Sequence, residues 1–121
     1  RKIDRSGRIE TIAGTGQPGF SADGTSARAA QIHTPFGLAI AADGRVYFAD
    51  SYNHRVRRIT VSGQLETVAG GATAGDAGLS GPAVAAALNE PHGLCFYGDR
   101  ILLISDRNNN RIKAVCLDVD G

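Results

Sequence analysis

The sequence predicts an all-β chain built from repeated antiparallel sheets of four strands. The first observation is an internal repeat. Residues 102–115 are similar in sequence to residues 46–59, and Asp106 follows Asp50 by 56 residues. Such a period is typical of folds that copy one supersecondary unit. Sixteen glycines, with no tryptophan or methionine, favour tight turns between short strands. Residues 47–49 are apolar at successive positions, as are residues 102–104 in the second copy, which predicts sheets covered on both faces.

The length and composition are those expected of one soluble globular unit. The chain has 121 residues, of which 42% are hydrophobic, and a formal net charge of +1, so its composition is not that of a disordered protein. The near-zero charge argues against a dedicated nucleic-acid binder, for which a strongly basic face is expected. No run reaches the roughly 20 apolar residues of a membrane span, and the N-terminal residues lack the order of a signal peptide. Because the sequence has no initiator methionine, its compartment stays open.

The chain opens inside a repeat. Residues 1–3 match 57–59, so we expect residues 1–13 to be the outer strands of a preceding unit. Residues 14–34 are rich in Gly, Ser and Ala, which predicts a linker with one short helical turn. Residues 14–19 fit Gly-x-Gly-x-x-Gly only formally, because a proline interrupts them and no strand-helix-strand unit surrounds them.

One complete unit follows, and then most of another. Residues 35–69 contain four predicted strands, with a hairpin at Asp43, the third strand near Arg55 and the last near Leu65. Residues 70–90 repeat the linker and its short helical turn, with a proline where the start of such a turn tolerates it. Residues 91–121 are expected to supply the first three strands of the next unit.

The two cysteines, Cys95 and Cys116, are predicted to be free and mostly buried thiols. The repeat places them on the first and third strands of one sheet, and two strand spacings of ~4.8 Å exceed the ~7 Å limit for a disulfide. A catalytic thiol is disfavoured, since neither cysteine has an evident base nearby in the sequence.

A repeated four-stranded meander is the blade of a β-propeller, whose blades stack face to face. About two blades are present, which is too few for a ring that typically has roughly 4 to 8. We therefore expect the chain either to continue as a longer propeller or to self-associate, with the strand at 9–13 completing a neighbour's sheet. Three such chains would supply about six blades.

Residues 50–56 and 35–39 resemble the NHL repeat, a family named for an Asn-His-Leu triplet that here reads Asn53-His54-Arg55. The linkers resemble the long-linker form found in bacterial multi-repeat proteins. The resemblance implies a β-propeller that acts as a non-enzymatic scaffold, binding a protein, or in some members RNA or carbohydrate, through loops at one face. Because a propeller scaffold does not fix an activity, the competing class is a propeller enzyme, namely a metal-dependent lyase or lactone hydrolase.

Asp50 and Asn53 recur as Asp106 and Asn109, and we interpret all four as structural residues of the turn in each blade. Carboxylate and amide side chains at this spacing can hydrogen-bond a tight turn and a neighbouring blade. The alternative is a calcium site, because calcium prefers oxygen ligands. No cluster of several acidic ligands accompanies these residues in the sequence, so the structural interpretation is favoured.

Several cations near these turns form a candidate ligand-binding strip. The set comprises Arg55, Arg57, Arg58, Arg107, Arg111 and Lys113, with Tyr52 near them. Such residues can bind RNA phosphates and stack on a base. The net charge instead favours a solvated strand face balanced by acidic residues elsewhere, so neither nucleic acid nor a membrane is an expected partner.

The two repeats disagree where His92 replaces Phe36, just after the proline that leads into the innermost strand. We expect both side chains near the central channel, as candidate ligand-binding residues. His33 and His54 are expected in a loop and a turn, without the partner spacing that catalysis needs.

Residues 91–94 also resemble the zinc-ligand segments of the propeller lyase that completes peptide amidation, which implies His92 as a zinc ligand. The copy at 35–38 lacks the histidine. Because catalytic zinc takes about three protein ligands, other blades or chains would have to contribute ligands, for example three copies of His92 around the axis of a threefold assembly. The alternative, which we favour, is a lone histidine lining a wet channel in a protein without a cofactor.

Overall fold

The computed structural model describes residues 1–71, 73–78 and 80–117, and these residues contain nine strands in three antiparallel sheets. The strands are β1 (Lys2–Ile3), β2 (Ile9–Glu10), β3 (Pro35–Ile40), β4 (Val46–Asp50), β5 (Arg55–Ile59), β6 (Leu65–Ala69), β7 (Pro91–Tyr97), β8 (Ile101–Asp106) and β9 (Arg111–Cys116). The predicted fold class is confirmed: the residues that the structure describes are all-β and form partial propeller blades. The predicted end of the last unit, residues 118–121, lies outside the described residues.

Strands β3 to β6 form a four-stranded sheet in sequential order, which we call the first blade. Every pair is antiparallel, and Tyr47 lies opposite Ala39 on one side and Arg58 on the other. Gly44 and Gly63 lie in the connecting turns with φ of 89° and 84°, a left-handed conformation that glycine adopts without a steric penalty. The meander therefore follows from local hairpins that the turn residues permit.

Strands β7 to β9 form the second blade, a three-stranded sheet in which β9 is an outer strand. Its register repeats that of the first blade: Pro91 lies opposite Asp106 as Pro35 lies opposite Asp50. The linkers before the two blades contain 3-10 turns at Ala27–Ala29 and Ala83–Ala85. The helical segments of the described residues are single turns of this kind, so none is long and apolar enough to cross a membrane.

The core consists of two clusters, one on each face of the first blade. Consecutive side chains of a strand point to opposite faces, so Tyr47 faces the second blade and Phe48 faces the linker 14–34. The cluster between the blades comprises Tyr47, Val56, Val68, Ala69, Leu88, Leu102 and Ile104. The cluster under the linker comprises Ala27, Ala30, Phe48 and Leu65. Burial of each large side chain contributes about 1.5–3 kcal/mol, so contact between the blades is a main source of stability.

Two expectations are wrong for the second blade. β8 alternates between buried and half-buried residues, so one of its faces is only partly covered by the described residues. Cys95 and Cys116 are free thiols, but both are exposed. They lie opposite Leu103 and Ile101, which are half-buried, and directly opposed residues share a face. The cysteines are therefore exposed because they belong to the partly covered face.

Candidate ligand-binding rim

In the first blade, the turn between β4 and β5 is held by the buried carboxylate of Asp50. Its Oδ1 accepts a hydrogen bond from the backbone N–H of His33 at 2.7 Å, and its Oδ2 accepts one from Asn53 Nδ2 at 2.9 Å. The same amide nitrogen donates to the carbonyl of Gly19 at 2.8 Å. His54 ends the turn with a left-handed φ of 54°. These contacts tie the preceding linker to the blade.

The second blade repeats this arrangement. The buried carboxylate of Asp106 accepts hydrogen bonds from the backbone N–H of Asn89 at 2.8 Å and from Asn109 Nδ2 at 2.7 Å. Asn109 Nδ2 also donates to the carbonyl of Gly75 at 2.6 Å, and Asn110 has the left-handed φ of 54°. These hydrogen bonds support the interpretation of the Asp and Asn pairs as structural residues.

The cations of the first blade lie partly inside the protein. Arg57 is fully buried, donates from Nη2 to Asp23 Oδ1 at 3.1 Å and lies 3.5 Å from Asp50 Oδ2. The ring of Phe20 packs on the guanidinium groups of Arg55 and Arg57, with centroid distances of 4.4 Å and 4.9 Å. The interpretation of this strand as a solvated face is therefore wrong for Arg57, and burial also removes Arg57 from the candidate ligand-binding residues.

In the second blade, ion pairs occupy the position that the ring of Phe20 occupies in the first. Asp76, at the repeat position of Phe20, accepts hydrogen bonds from Arg111 Nε at 2.9 Å and from Lys113 Nζ at 2.8 Å. Those bonds, that from Lys113 foremost, hold the pKa of Asp76 below its usual value. Burial opposes the charge of Lys113, but hydrogen bonds to Asp106 and Asp76 outweigh burial and raise its pKa.

Ser51 and His54 link the first blade to the residues where β7 begins, whereas the sequence pointed to the Asp and Asn side chains for such contacts. Ser51 Oγ donates to the carbonyl of Pro91, and the backbone N–H of Glu90 donates to His54 Nδ1 at 3.0 Å. A ring nitrogen accepts such a bond only when it carries no proton. The partners are 40 and 36 residues apart and join the turn of the first blade to residues at the start of β7, so no local pattern marks them.

Four rings lie at the end of the blades where β3 and β7 begin, and we call the surface formed by His33, Phe36, Tyr52 and His92 the rim. Phe36 and His92 are in ring contact, with centroids 4.0 Å apart and planes inclined by 31°. His33 and Tyr52 form a second pair with a centroid distance of 5.1 Å. Phe36 and Tyr52 remain 46% and 47% exposed, so each pair includes one residue that is about half accessible to solvent.

The contact between Phe36 and His92 depends on a close approach of β3 to β7. A Cβ atom added to Gly37 would collide with the carbonyl oxygen of His92, and it would lie 2.9 Å from the nitrogen of Leu94 and 3.0 Å from the Cα of Gly93. All three are backbone atoms, which cannot rotate away. Because residue 37 is glycine, the innermost strands come close enough to bring together the two positions at which the repeats differ.

The remaining predicted site residues do not form one strip. Arg55 is half-buried and donates to Thr67 Oγ1 at 3.3 Å, whereas Arg111 is exposed and paired with Asp76. Arg107 is exposed on the turn of the second blade. Only Phe36, Tyr52 and His92 of the predicted ligand-binding set belong to the rim.

Within the described residues, no three side chains of His, Cys, Asp or Glu are grouped closely enough to hold a metal ion. The ring of His92 packs on Phe36, and both carboxylate oxygens of Asp50 already accept N–H groups. Among the residues that the structure describes, the donor sets of one chain therefore do not fit the zinc or calcium sites considered from the sequence.

Comparison with known proteins gives a relative in a plant, and no family model matches the chain. The chain is 34% identical over 129 residues to Protein SUPPRESSOR OF QUENCHING 1, chloroplastic, from Arabidopsis thaliana. The match covers 98% of the chain and 12% of the relative, so the chain spans a small part of that protein.

Solved bacterial structures share the fold. A protein of unknown function from Bacteroides thetaiotaomicron superposes with a TM-score of 0.81 at 24% identity, covering 94% of this chain and 28% of that one. An auxiliary nutrient binding protein from the same organism gives 0.70 at 26% identity, with 91% and 29% covered. An auxiliary nutrient binding protein from Bacteroides ovatus gives 0.71 at 23% identity, with 93% and 30% covered. The chain thus spans less than a third of each of these structures.

Proposed function

We propose that the chain is a non-enzymatic, ligand-binding part of an NHL-type β-propeller, and that the rim captures the ligand. The ring contact between Phe36 and His92, at 4.0 Å, carries the proposal. The repeats agree at the Asp and Asn residues that hold each turn, but they differ at these two positions. The blade geometry does not require this difference, and the surface is about half exposed. Residues of this kind can therefore determine which ligand binds.

The chemistry of the rim favours a carbohydrate. A pair of aromatic rings contributes about 0.5–1.5 kcal/mol beyond the area it buries, and we expect a similar contribution from a ring stacked on the apolar face of a ligand. Imidazole nitrogens and the hydroxyl of Tyr52 can donate or accept hydrogen bonds, as sugar hydroxyls require. One solved protein of similar fold, at 26% identity, is an auxiliary nutrient binding protein, which supports a nutrient over a protein as the ligand.

Isothermal titration calorimetry with a panel of neutral oligosaccharides tests this proposal. For the tightest sugar found, Phe36→Ala and His92→Ala are each expected to weaken binding about fivefold to tenfold, the loss of one stacked ring. Val61→Ala is the matched control, because Val61 is 93% exposed in the turn between β5 and β6 and lies outside the rim. The proposal is wrong if no sugar binds, or if the rim variants bind as tightly as the control.

We also propose that the two blades belong to a larger ring, made by continuation of the chain or by further copies of it. The apolar side chains exposed on the outward faces of the blades support this. Ile40 on β3 is 68% exposed and Ile112 on β9 is 71% exposed, and neither takes part in the rim. Neighbouring blades would cover these side chains, because propeller blades pack face to face.

A further inference from the structure

The backbone N–H of Glu90, directly before β7, donates to His54 Nδ1 in the turn of the first blade at 3.0 Å. This hydrogen bond joins the two blades beside the rim, where His92 packs on Phe36. We propose that neutral His54 is a positioning residue of the rim: it keeps His92 against Phe36, and its protonation breaks that contact. The inference concerns the regulation of the rim, and its consequence for ligand capture rests on the proposed function.

The position of His92 is not fixed by the pairing of β7 with β8. These strands pair at Pro91 and again from Leu94, and their register is irregular between the two residues. His92 therefore lies where the ladder is interrupted, as in a β-bulge, which can re-aim a side chain. Contacts of the adjacent residues then determine where its ring lies. One is the hydrogen bond from Ser51 Oγ to the carbonyl of Pro91, and the other is the bond that His54 accepts.

Glu90 has a backbone conformation that needs support from its surroundings. Its φ is 51°, in the left-handed region, and the next residue is proline. A residue with a side chain disfavours this region, and a following proline favours extended backbone instead. Such a conformation persists only where the surrounding structure holds it. Loss of the hydrogen bond to His54 therefore removes a contact that keeps Glu90, and with it the start of β7, in place.

Protonation of His54 breaks this hydrogen bond. A backbone N–H can only donate, and an imidazole with protons on both nitrogens has no acceptor to offer. Histidine side chains change charge between about pH 5 and 8, so the contact from Glu90 is present above this range and is lost as the pH falls through it. Asn89 stays bound to Asp106 at 2.8 Å. The released residues therefore separate from the first blade and not from their own sheet.

The other two histidines of the chain respond differently to protonation. His33 Nδ1 lies 3.0 Å from the hydroxyl of Thr34, which can accept a hydrogen bond as well as donate one. A protonated His92 is still attracted to the ring of Phe36, as a cation is to an aromatic face. These two contacts therefore tolerate a lower pH, whereas the contact of His54 does not.

The charged groups around His54 do not supply a new partner for its protonated form. The titratable and charged residues of the adjoining elements are Asp50, Arg55 and Arg57 of the first blade, Asp76 and Glu90 of the second linker, Asp106, Arg107 and Arg111 of the second blade, and the imidazoles of His33 and His92. Each of the four carboxylates already accepts an N–H group of another residue. Among the described residues, the ion pairs do not include His54.

The second blade supplies a matched substitution. Asn110 lies 56 residues after His54 and has the same left-handed φ of 54°. Asparagine Oδ1 is bonded to Cγ, as histidine Nδ1 is, so His54→Asn keeps an acceptor that does not titrate. His54→Gly removes the acceptor, and glycine adopts the left-handed conformation without a penalty. Asn110→Gly is the control for that change, because it replaces an exposed side chain at the equivalent turn position.

Nuclear Overhauser effects between the rings of Phe36 and His92, measured on the full chain without ligand, test the positioning role. In the unmodified chain and in Asn110→Gly they should be present at about pH 7.5 and lost at about pH 5. His54→Asn should keep them at both pH values, and His54→Gly should lack them at both. Effects that persist at the lower pH in the unmodified chain, or that disappear equally in His54→Asn, would overturn the proposal.

Isothermal titration calorimetry with the tightest neutral oligosaccharide measures the consequence for the rim. Between about pH 7.5 and pH 5, the affinity of the unmodified chain should fall about fivefold more than that of His54→Asn, as for one lost hydrogen bond. His33 and His92 titrate in both chains, so the comparison isolates His54. Equal pH dependence of the two chains would refute regulation of the rim by His54. If no sugar binds, the proposed function is wrong, whereas the ring contact measured without ligand still decides the role of His54.

Discussion

Replacing Gly37 by alanine tests whether the close approach of β3 to β7 holds the two blades together. The added Cβ would collide with backbone atoms of β7, including the nitrogen of Leu94 at 2.9 Å. Forcing a methyl group into such packing costs about 1–3 kcal/mol. The smaller entropy of the unfolded alanine chain returns about 0.4–1 kcal/mol, since residue 37 lies outside the left-handed region. We therefore expect Gly37→Ala to lower the free energy of unfolding by about 1–2 kcal/mol.

Gly93→Ala is the matched control, because Gly93 is the repeat counterpart of Gly37. A Cβ at Gly93 would lie 3.7 Å from the Cβ of Ser105, which is an ordinary contact, so this variant is expected to be as stable as the unmodified chain or slightly more stable. Urea unfolding followed by circular dichroism gives both free energies. The ring proton shifts of His92 report whether the contact with Phe36 is lost. Equal unfolding midpoints for the two variants would refute the argument that β3 and β7 are in tight contact.

The remaining predictions concern the charged groups and the ring that packs on two of them. Asp50→Asn leaves the buried Arg57 without its buried carboxylate and should cost about 3 kcal/mol by urea unfolding, of which an added Arg57→Met should recover part. Because the pKa of Asp76 is lowered, its ion pairs stabilise the fold above the usual carboxyl pKa, and this stabilisation is lost as the pH falls through the lowered value. Asp76→Asn should therefore lower the free energy of unfolding fully at pH 7 and not at all in strong acid. Because the pKa of Lys113 is raised, its charge stabilises the fold fully below its usual pKa, and this stabilisation is lost at higher pH. The free energy of unfolding should therefore fall less steeply above pH 10.5 in Lys113→Met than in the unmodified chain. Phe20→Ala removes the ring that packs on two guanidinium groups and should cost about 1–2 kcal/mol, with a smaller loss contradicting the cation–π contacts.

The blades were predictable from the sequence because their pairing is local. Each strand pairs with the next through a turn, and the period of 56 residues by itself aligns Asp50 with Asp106. A second copy also weighed against assigning chemistry to Asn53 and Asn109, whose amides hold the same turn in each blade. Repetition thus supplied the information that a single motif would lack.

Contacts between elements distant in sequence were not predictable in the same way. Arg57 has the charge of a surface residue, and its partner Asp23 lies in a linker 34 residues away. Cys95 looked like a core residue by type, but its exposure depends on what covers the second blade. Likewise, the hydrogen bond from Glu90 to His54 depends on how one blade packs on the next. Such properties follow from the arrangement of the blades, which periodicity does not specify.

Some differences between the repeats are compensated by other changes in the same blade, and others are not; the uncompensated kind is found at the rim. Where Phe20 is replaced by Asp76, the contacting residues change too. In the first blade the ring packs on two guanidinium groups, and in the second blade the carboxylate forms ion pairs, including one with Lys113. That exchange is compensated within each blade and therefore serves its stability. Where Phe36 becomes His92, the two residues instead contact each other across the blades, and Phe36 keeps nearly half of its surface exposed. Among the described residues, this difference is not balanced by a change of partners within one blade. A ligand that contacts both rings therefore explains it better than blade stability does.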